Sequence, residues 1–234
     1  MSRLPDRLLL ITDRKLASRP LEQVVAAALA GGCRWVSLRE RDLPPSERRR
    51  LLVRLLERAA SCGACIGVHA DLEAAADLRL PALHLPAGAD VAAARARLGP
   101  KPVIGISTHD PAEIAAAGAA GADYVTFGPV LPSLSKPGHG DSGGLARLGA
   151  ATAAAGLPVL ALGGITAATA AACRALGAAG VAVVGAVMQA DDPAAATRAI
   201  LHALKEGQDV GPALAAANRR DSTTPVERQG FSKG

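Results

Sequence analysis

The sequence predicts a closed (β/α)₈ barrel, and three observations carry that reading. Eight short apolar runs recur between residues 8 and 187. Between them lie Ala- and Leu-rich stretches with helical patterning, several ending in Gly as helices commonly do. The runs are continuously apolar rather than alternating, which is the signature of parallel strands covered on both faces. Eight such units in about 200 residues suit a closed barrel; an open doubly wound sheet is the alternative.

Taken in order, LLLIT (8–12) precedes the helical LEQVVAAALAGG, and WVSLRE (35–40) precedes SERRRLLVRLLERAASCG. ACIGVH (64–69), ALHLP (82–86) and PVIGIS (102–107) supply the next three strands, the last followed by PAEIAAAGAAGA. YVTFGPV (124–130), PVLALGGI (158–165) and GVAVVGAV (180–187) complete the eight. AGGCRWV, AAGAAGADYV and ALGAAGVAVV look repetitive, but they read as one packing solution reused, in which small residues let a helix sit close to the strand that follows. From residue 209 the chain turns polar and rich in turn formers with no sustained period. The expected organisation is a barrel over residues 1–208 and a disordered tail over 209–234.

Composition narrows the function classes. The 234 residues are 50% hydrophobic, enough for a large core. Twenty-six basic against 21 acidic residues leave a modest net charge of +5, spread along the chain. With four aromatic residues in all, stacking on nucleic acid has little support, and a small phosphorylated substrate accounts for the bias as well. No apolar run reaches the roughly 18 residues of a membrane span or has the form of a signal peptide, so a cytoplasmic protein is expected. Homo-oligomerisation stays open. Cys33, Cys62, Cys65 and Cys173 do not form a disulfide pattern; Cys62 and Cys65 have the spacing of half a zinc site or a redox pair, but no second pair accompanies them, and two reduced thiols are expected.

In a barrel of this kind chemistry gathers where strands end and the following loops begin. That rule selects Thr12 and Asp13, Arg39 and Arg41, His69 with Asp71, His84, Ser107 with His109, Lys136, Gly163 with Gly164, and Val184 with Gly185. Strand alternation points Arg39 and Arg41 to one side, toward a shared anion at the barrel mouth; a solvated charge cluster is the bland alternative. His84, His109 and His139 read as loop residues rather than catalysts. The strongest constellation is the pair of glycine motifs, LALGGIT and VAVVGAV, because glycines bring backbone N–H groups against a phosphate after the seventh and eighth strands. VTFGPVLPSLSKPGHGDSGG (125–144) changes from a buried strand to a glycine-rich loop in which Ser133, Ser135 and Lys136 suit an anion.

LLLITDR, GGCRWVSLRERDL, GISTHDPAEIAAAGAAGADYVTFGPVLPSLSKPG, PVLALGGIT and AGVAVVGAV together resemble, in order and spacing, the thiamine phosphate synthase and TenI superfamily over roughly residues 7–205. The resemblance implies a (β/α)₈ TIM barrel that binds a thiazole phosphate. The synthases join it to a pyrimidine methyl diphosphate and release diphosphate; TenI-type relatives isomerise the thiazole. Carried over by position, Arg39 and Arg41 match the diphosphate-binding Arg and Lys of the second strand, and Ser107 matches the Ser of the GxS strand. Ser133, Ser135 and Lys136 match the loop whose Lys meets diphosphate, and Gly163, Gly164, Val184 and Gly185 match the thiazole phosphate site.

Two departures concern Mg²⁺. The synthases carry an Asn-Asp pair after the third strand, where this chain has His69-Ala70, and a further acid where it has Ala89. Asp71 and Asp90 stand one residue away and are the candidate metal ligands if the loops are shifted; His69 is either a neutral replacement ligand or a polar strand cap. Tautomerases can carry a His where this chain has Pro129. Three readings follow: a coupling transferase, favoured by the cations; a TenI-type tautomerase; and a non-catalytic barrel that binds a thiazole or thiamine phosphate.

Overall fold

The computed structural model of the chain describes residues 4–132 and 144–221, with side chains as far as residue 207. Strands β1 (Leu8–Ile11), β2 (Trp35–Leu38), β3 (Cys65–His69), β4 (Ala82–Leu85), β5 (Val103–Thr108), β6 (Tyr124–Phe127), β7 (Val159–Leu162) and β8 (Gly180–Val183) pair in sequence order, and β8 pairs back to β1. All eight pairings are parallel and close a barrel, as the eight apolar runs predict. Helices α1 (Leu21–Ala30), α2 (Pro45–Ala60), α3 (Leu72–Asp77), α4 (Val91–Leu98), α5 (Pro111–Ala119), α6 (Gly144–Ala154) and α7 (Ala167–Ala175) follow the first seven strands in turn. After β8 come the short α8 (Gly185–Met188) and then α9 (Pro193–Asp221), which packs on α1 and α7.

Strand alternation produces two cores. Residues facing outward, such as Leu10, Val36, Ile66, Leu83, Ile104 and Val125, pack against the helices. Those facing inward, including Leu9, Ile11, Trp35, Ala82, Val103, Tyr124 and Leu160, fill the barrel. Trp35 and Tyr124 meet edge to face across the interior with centroids 4.9 Å apart, an arrangement worth about 1 kcal/mol beyond the area it buries. Gly105 makes room for that ring: a Cβ there would stand 2.0 Å from Tyr124 Cζ.

Several strands are shorter than their apolar runs. β6 stops at Phe127 ahead of Gly128-Pro129, and β7 stops at Leu162 because Gly163 turns to φ +100°. The run at 180–187, expected to be a single strand, divides: Val184 turns to ψ −83° and Gly185–Met188 form α8, whose Met188 N–H donates to Val184 O at 2.9 Å. An apolar run carries no mark of that division, since Val187 and Met188 are buried in either state. The boundary expected at residue 208 falls inside α9, and residues 222–234 lie outside the described residues. No described helix is long and apolar enough to cross a membrane.

Candidate active site at the barrel mouth

The carboxyl ends of β7 and β8 frame a cavity of about 260 Å³, lined by Pro132, Gly163, Gly164, Thr166, Val184, Gly185 and Gln189 among others. Gly163 and Gly164 adopt φ +100° and +63°, a region that L side chains avoid, so the turn exposes backbone instead of side chain. Gly164 also lies against the loop after β6, where a Cβ would come within 2.4 Å of Pro132 O. Gly185 is different: a Cβ there would meet only the Gln189 amide, at 3.1 Å, and would project among the cavity-lining residues. The four backbone positions expected to hold a phosphate thus converge on one cavity.

Farther round the same rim, two strands on from β8, β2 ends at Leu38, so strand alternation does not extend to Arg39 and Arg41. Arg39 is held from both ends: its N–H donates to Thr12 Oγ1 at 2.9 Å and its guanidinium stands 3.8 Å from Asp13 Oδ2. Arg41 is exposed and makes no hydrogen bond or ion pair among the described residues. Between them Glu40 is 2% exposed, accepting the Arg14 N–H with both carboxylate oxygens at 3.2 and 3.1 Å. This buried acid ties the loops after β1 and β2 together; within the string RERD nothing distinguishes it from a solvated charge.

The interior beneath the mouth is polar along β3 to β6. His69 and His84 are register partners with ring centroids 5.2 Å apart. His84 Nδ1 lies 2.9 Å from Tyr124 Oη and its Nε2 lies 3.0 Å from Ser107 Oγ. Thr126 Oγ1 stands 3.4 Å from the same Nε2 and 3.5 Å from Ser107 Oγ. His84 is therefore a buried strand residue and not the loop residue that its sequence position suggests: its side chain shares the inward face with Ala82, two residues back along β4. Burial, with a smaller contribution from His69, pushes its pKa down to about 3, so the imidazole is neutral. The spacing of Tyr124 and Thr126 on β6, with Ser107 on β5, carried the signal for this cluster, but only the barrel register brings the side chains to His84.

Residues 8–187 match the family described as thiamine monophosphate synthase. The chain belongs to that family. A putative thiamine-phosphate synthase of Geobacter sulfurreducens is 42% identical over 206 residues, covering 86% of this chain and 95% of that protein. The thiamine-phosphate synthase of Chromobacterium violaceum is 41% identical over 192 residues, covering 81% and 92%. Among solved structures, thiamine phosphate pyrophosphorylase from Pyrococcus furiosus superposes with a TM-score of 0.77 at 27% identity, covering 86% of this chain and 96% of that one. A 3-hexulose-6-phosphate synthase, at 19% identity and a TM-score of 0.65, shares the fold.

In this member of the thiamine monophosphate synthase family, the two acids expected to ligate metal both cap helices. Asp71 caps α3, its Oδ1 accepting the Ala74 N–H at 3.0 Å, while Arg48 Nε and Nη2 reach Oδ2 at 2.9 and 2.7 Å. Asp90 caps α4 by accepting the Ala93 N–H at 2.9 Å. No group of three His, Cys, Asp or Glu side chains among the described residues converges as a metal site. With Ala at positions 70 and 89, Asp71 engaged through both oxygens and Asp90 capping α4 through one, the described residues do not gather the ligands that Mg²⁺ needs. The Cys62-Cys65 pair adds no metal site, and all four cysteines are free thiols. Ser133, Ser135, Lys136 and His139 lie outside the described residues.

Proposed function

We propose that the protein couples a hydroxymethylpyrimidine diphosphate to a thiazole phosphate and releases diphosphate. The observation that carries this reading is that a glycine-lined cavity after β7 and β8 and the arginines that follow β2 share the carboxyl-end rim of one barrel, which suits two anions held at separate positions of one mouth. In the reaction the bond from the pyrimidine methylene carbon to the diphosphate oxygen breaks, a carbon–nitrogen bond to the thiazole ring forms, and the bond electrons leave with diphosphate.

Charge therefore grows on the leaving group, and cations placed there lower the barrier. Arg39 and Arg41 take the diphosphate, with Lys136, Ser133, Ser135 and Ser107 as further contacts. Gly163, Gly164, Val184 and Gly185 take the thiazole phosphate through backbone N–H groups, and His69 borders the pyrimidine. Asp71 and Asp90 act as helix caps in this reading, so the cations carry the leaving-group charge.

The deciding experiment supplies both substrates to the full chain, with and without Mg²⁺, and follows products by chromatography. Coupled product with released diphosphate supports the reading. Isomerised thiazole alone would replace it with the tautomerase, and binding of thiazole phosphate without any product would replace it with the non-catalytic barrel.

A further inference from the structure

The network around His84 has a direction. Tyr124 Oη is buried, and its hydrogen-bond partner among the described residues is His84 Nδ1. Burial raises its pKa well above 10.0, so the phenol keeps its proton. A buried O–H left without an acceptor costs about 1–3 kcal/mol, so the phenol donates and Nδ1 accepts. The imidazole is neutral and carries one N–H, which then sits on Nε2. That N–H faces Ser107 Oγ at 3.0 Å, and Thr126 Oγ1 supplies a second, longer donor to the same oxygen at 3.5 Å. Both neighbours donate to Ser107, and its own proton is left for the open end of the barrel.

We propose that Tyr124 is a positioning residue, acting through His84 to keep the Ser107 hydroxyl proton aimed at an anion in the barrel mouth. The inference rests on the reading that diphosphate occupies that mouth, and it deepens it by assigning the donor side of one contact. Reversing the chain, so that Ser107 donates to Nε2, would present a lone pair to the anion and repel it. Tyr124 is well suited to fix the direction because its ring is locked: it lies against Trp35 and fills the space that Gly105 leaves open. The tautomer is thereby set by a group on the barrel floor that touches no substrate.

The test uses the full chain labelled with ¹⁵N-histidine and its Tyr124→Phe variant, which keeps the ring and removes only the donor. In the parent, His84 should give the signature of a single neutral tautomer with hydrogen on Nε2. In Tyr124→Phe the Nδ1 acceptor loses its donor, so both tautomers should appear. Calorimetric affinity for inorganic diphosphate, measured without metal, should fall about tenfold, the loss of roughly one hydrogen bond to a charged group. Adding Ser107→Ala to Tyr124→Phe should cost little more, because the two changes remove the same contact. A parent tautomer with hydrogen on Nδ1 overturns the inference whatever the variant does, as does unchanged diphosphate affinity in a folded Tyr124→Phe. These readouts need neither thiazole nor turnover. If they hold in a protein that forms no coupled product, the coupling reading fails and this inference stands.

Discussion

Arg48 reaches from α2 to Asp71 at the start of α3, its Nη2 2.7 Å and its Nε 2.9 Å from Oδ2, while Oδ1 of the same carboxylate receives the Ala74 N–H. Both side chains are about four-fifths buried, so the pair is screened less than a surface ion pair. This carboxylate has a structural job. Asp71→Asn should lower stability by about 1 kcal/mol through the weakened cap and pair, measured by urea unfolding, and should leave Mg²⁺ affinity in calorimetry unchanged. Loss of tight Mg²⁺ binding in Asp71→Asn would show that the acid ligates metal after all.

The reverse experiment is favoured by the backbone. Ala70 is exposed and adopts φ +59°, a conformation that Asp tolerates better than Ala. Ala70→Asp with Ala89→Asp should therefore raise Mg²⁺ affinity at least tenfold without loss of melting temperature. A double variant that binds Mg²⁺ no better than the parent would show that the mouth cannot assemble a metal site from these positions.

Gly185 is the sharper probe of the proposed phosphate site. A side chain at Gly164 would run into the Pro132 carbonyl and disturb the loop after β6, so its loss of binding would be ambiguous. At Gly185 an added Cβ meets only the Gln189 amide, so Gly185→Val should keep the chain folded while filling the cavity. Affinity for thiazole phosphate should fall by at least tenfold at an unchanged melting temperature. Unaltered affinity would remove the phosphate from this cavity.

Arg41 and Arg39 should separate. Because Arg41 is exposed and unengaged among the described residues, Arg41→Ala should change stability by less than about 0.5 kcal/mol while weakening inorganic diphosphate and sparing thiazole phosphate. Arg39→Ala also removes the group facing Asp13 and should cost stability as well as diphosphate affinity. Equal weakening of both ligands by Arg41→Ala would contradict separate subsites.

His84 makes a pH prediction. Its pKa is near 3 in the folded chain against an ordinary value of 6.5, so below pH 6.5 the unfolded chain binds more protons and stability falls with pH. The contribution approaches about 1.4 kcal/mol per pH unit at most. Urea unfolding of His84→Gln between pH 6.5 and 5 should show a slope shallower than the parent by a large part of that amount. Identical slopes would place the acid sensitivity elsewhere.

The barrel and the turn that frames its glycine-lined cavity were legible along the chain because both follow from local patterns. Eight continuously apolar runs can be buried only as covered parallel strands, and Gly163 and Gly164 announce a backbone turn wherever they stand. The helix caps are local contacts too, since Asp71, Asp90 and Asp110 each precede by three residues the N–H that they accept, although along the sequence Asp71 and Asp90 read as candidate metal ligands. What the side chains do to one another was decided by the tertiary structure. His84 and Tyr124 are 40 residues apart and become hydrogen-bond partners only because β4, β5 and β6 pair in one register, with Gly105 leaving space between them. Glu40 is buried and Asp71 is taken by Arg48 for the same reason. A charged residue's partner is set by closure of the sheet and the packing of helices upon it, and no pattern along the sequence encodes that distance.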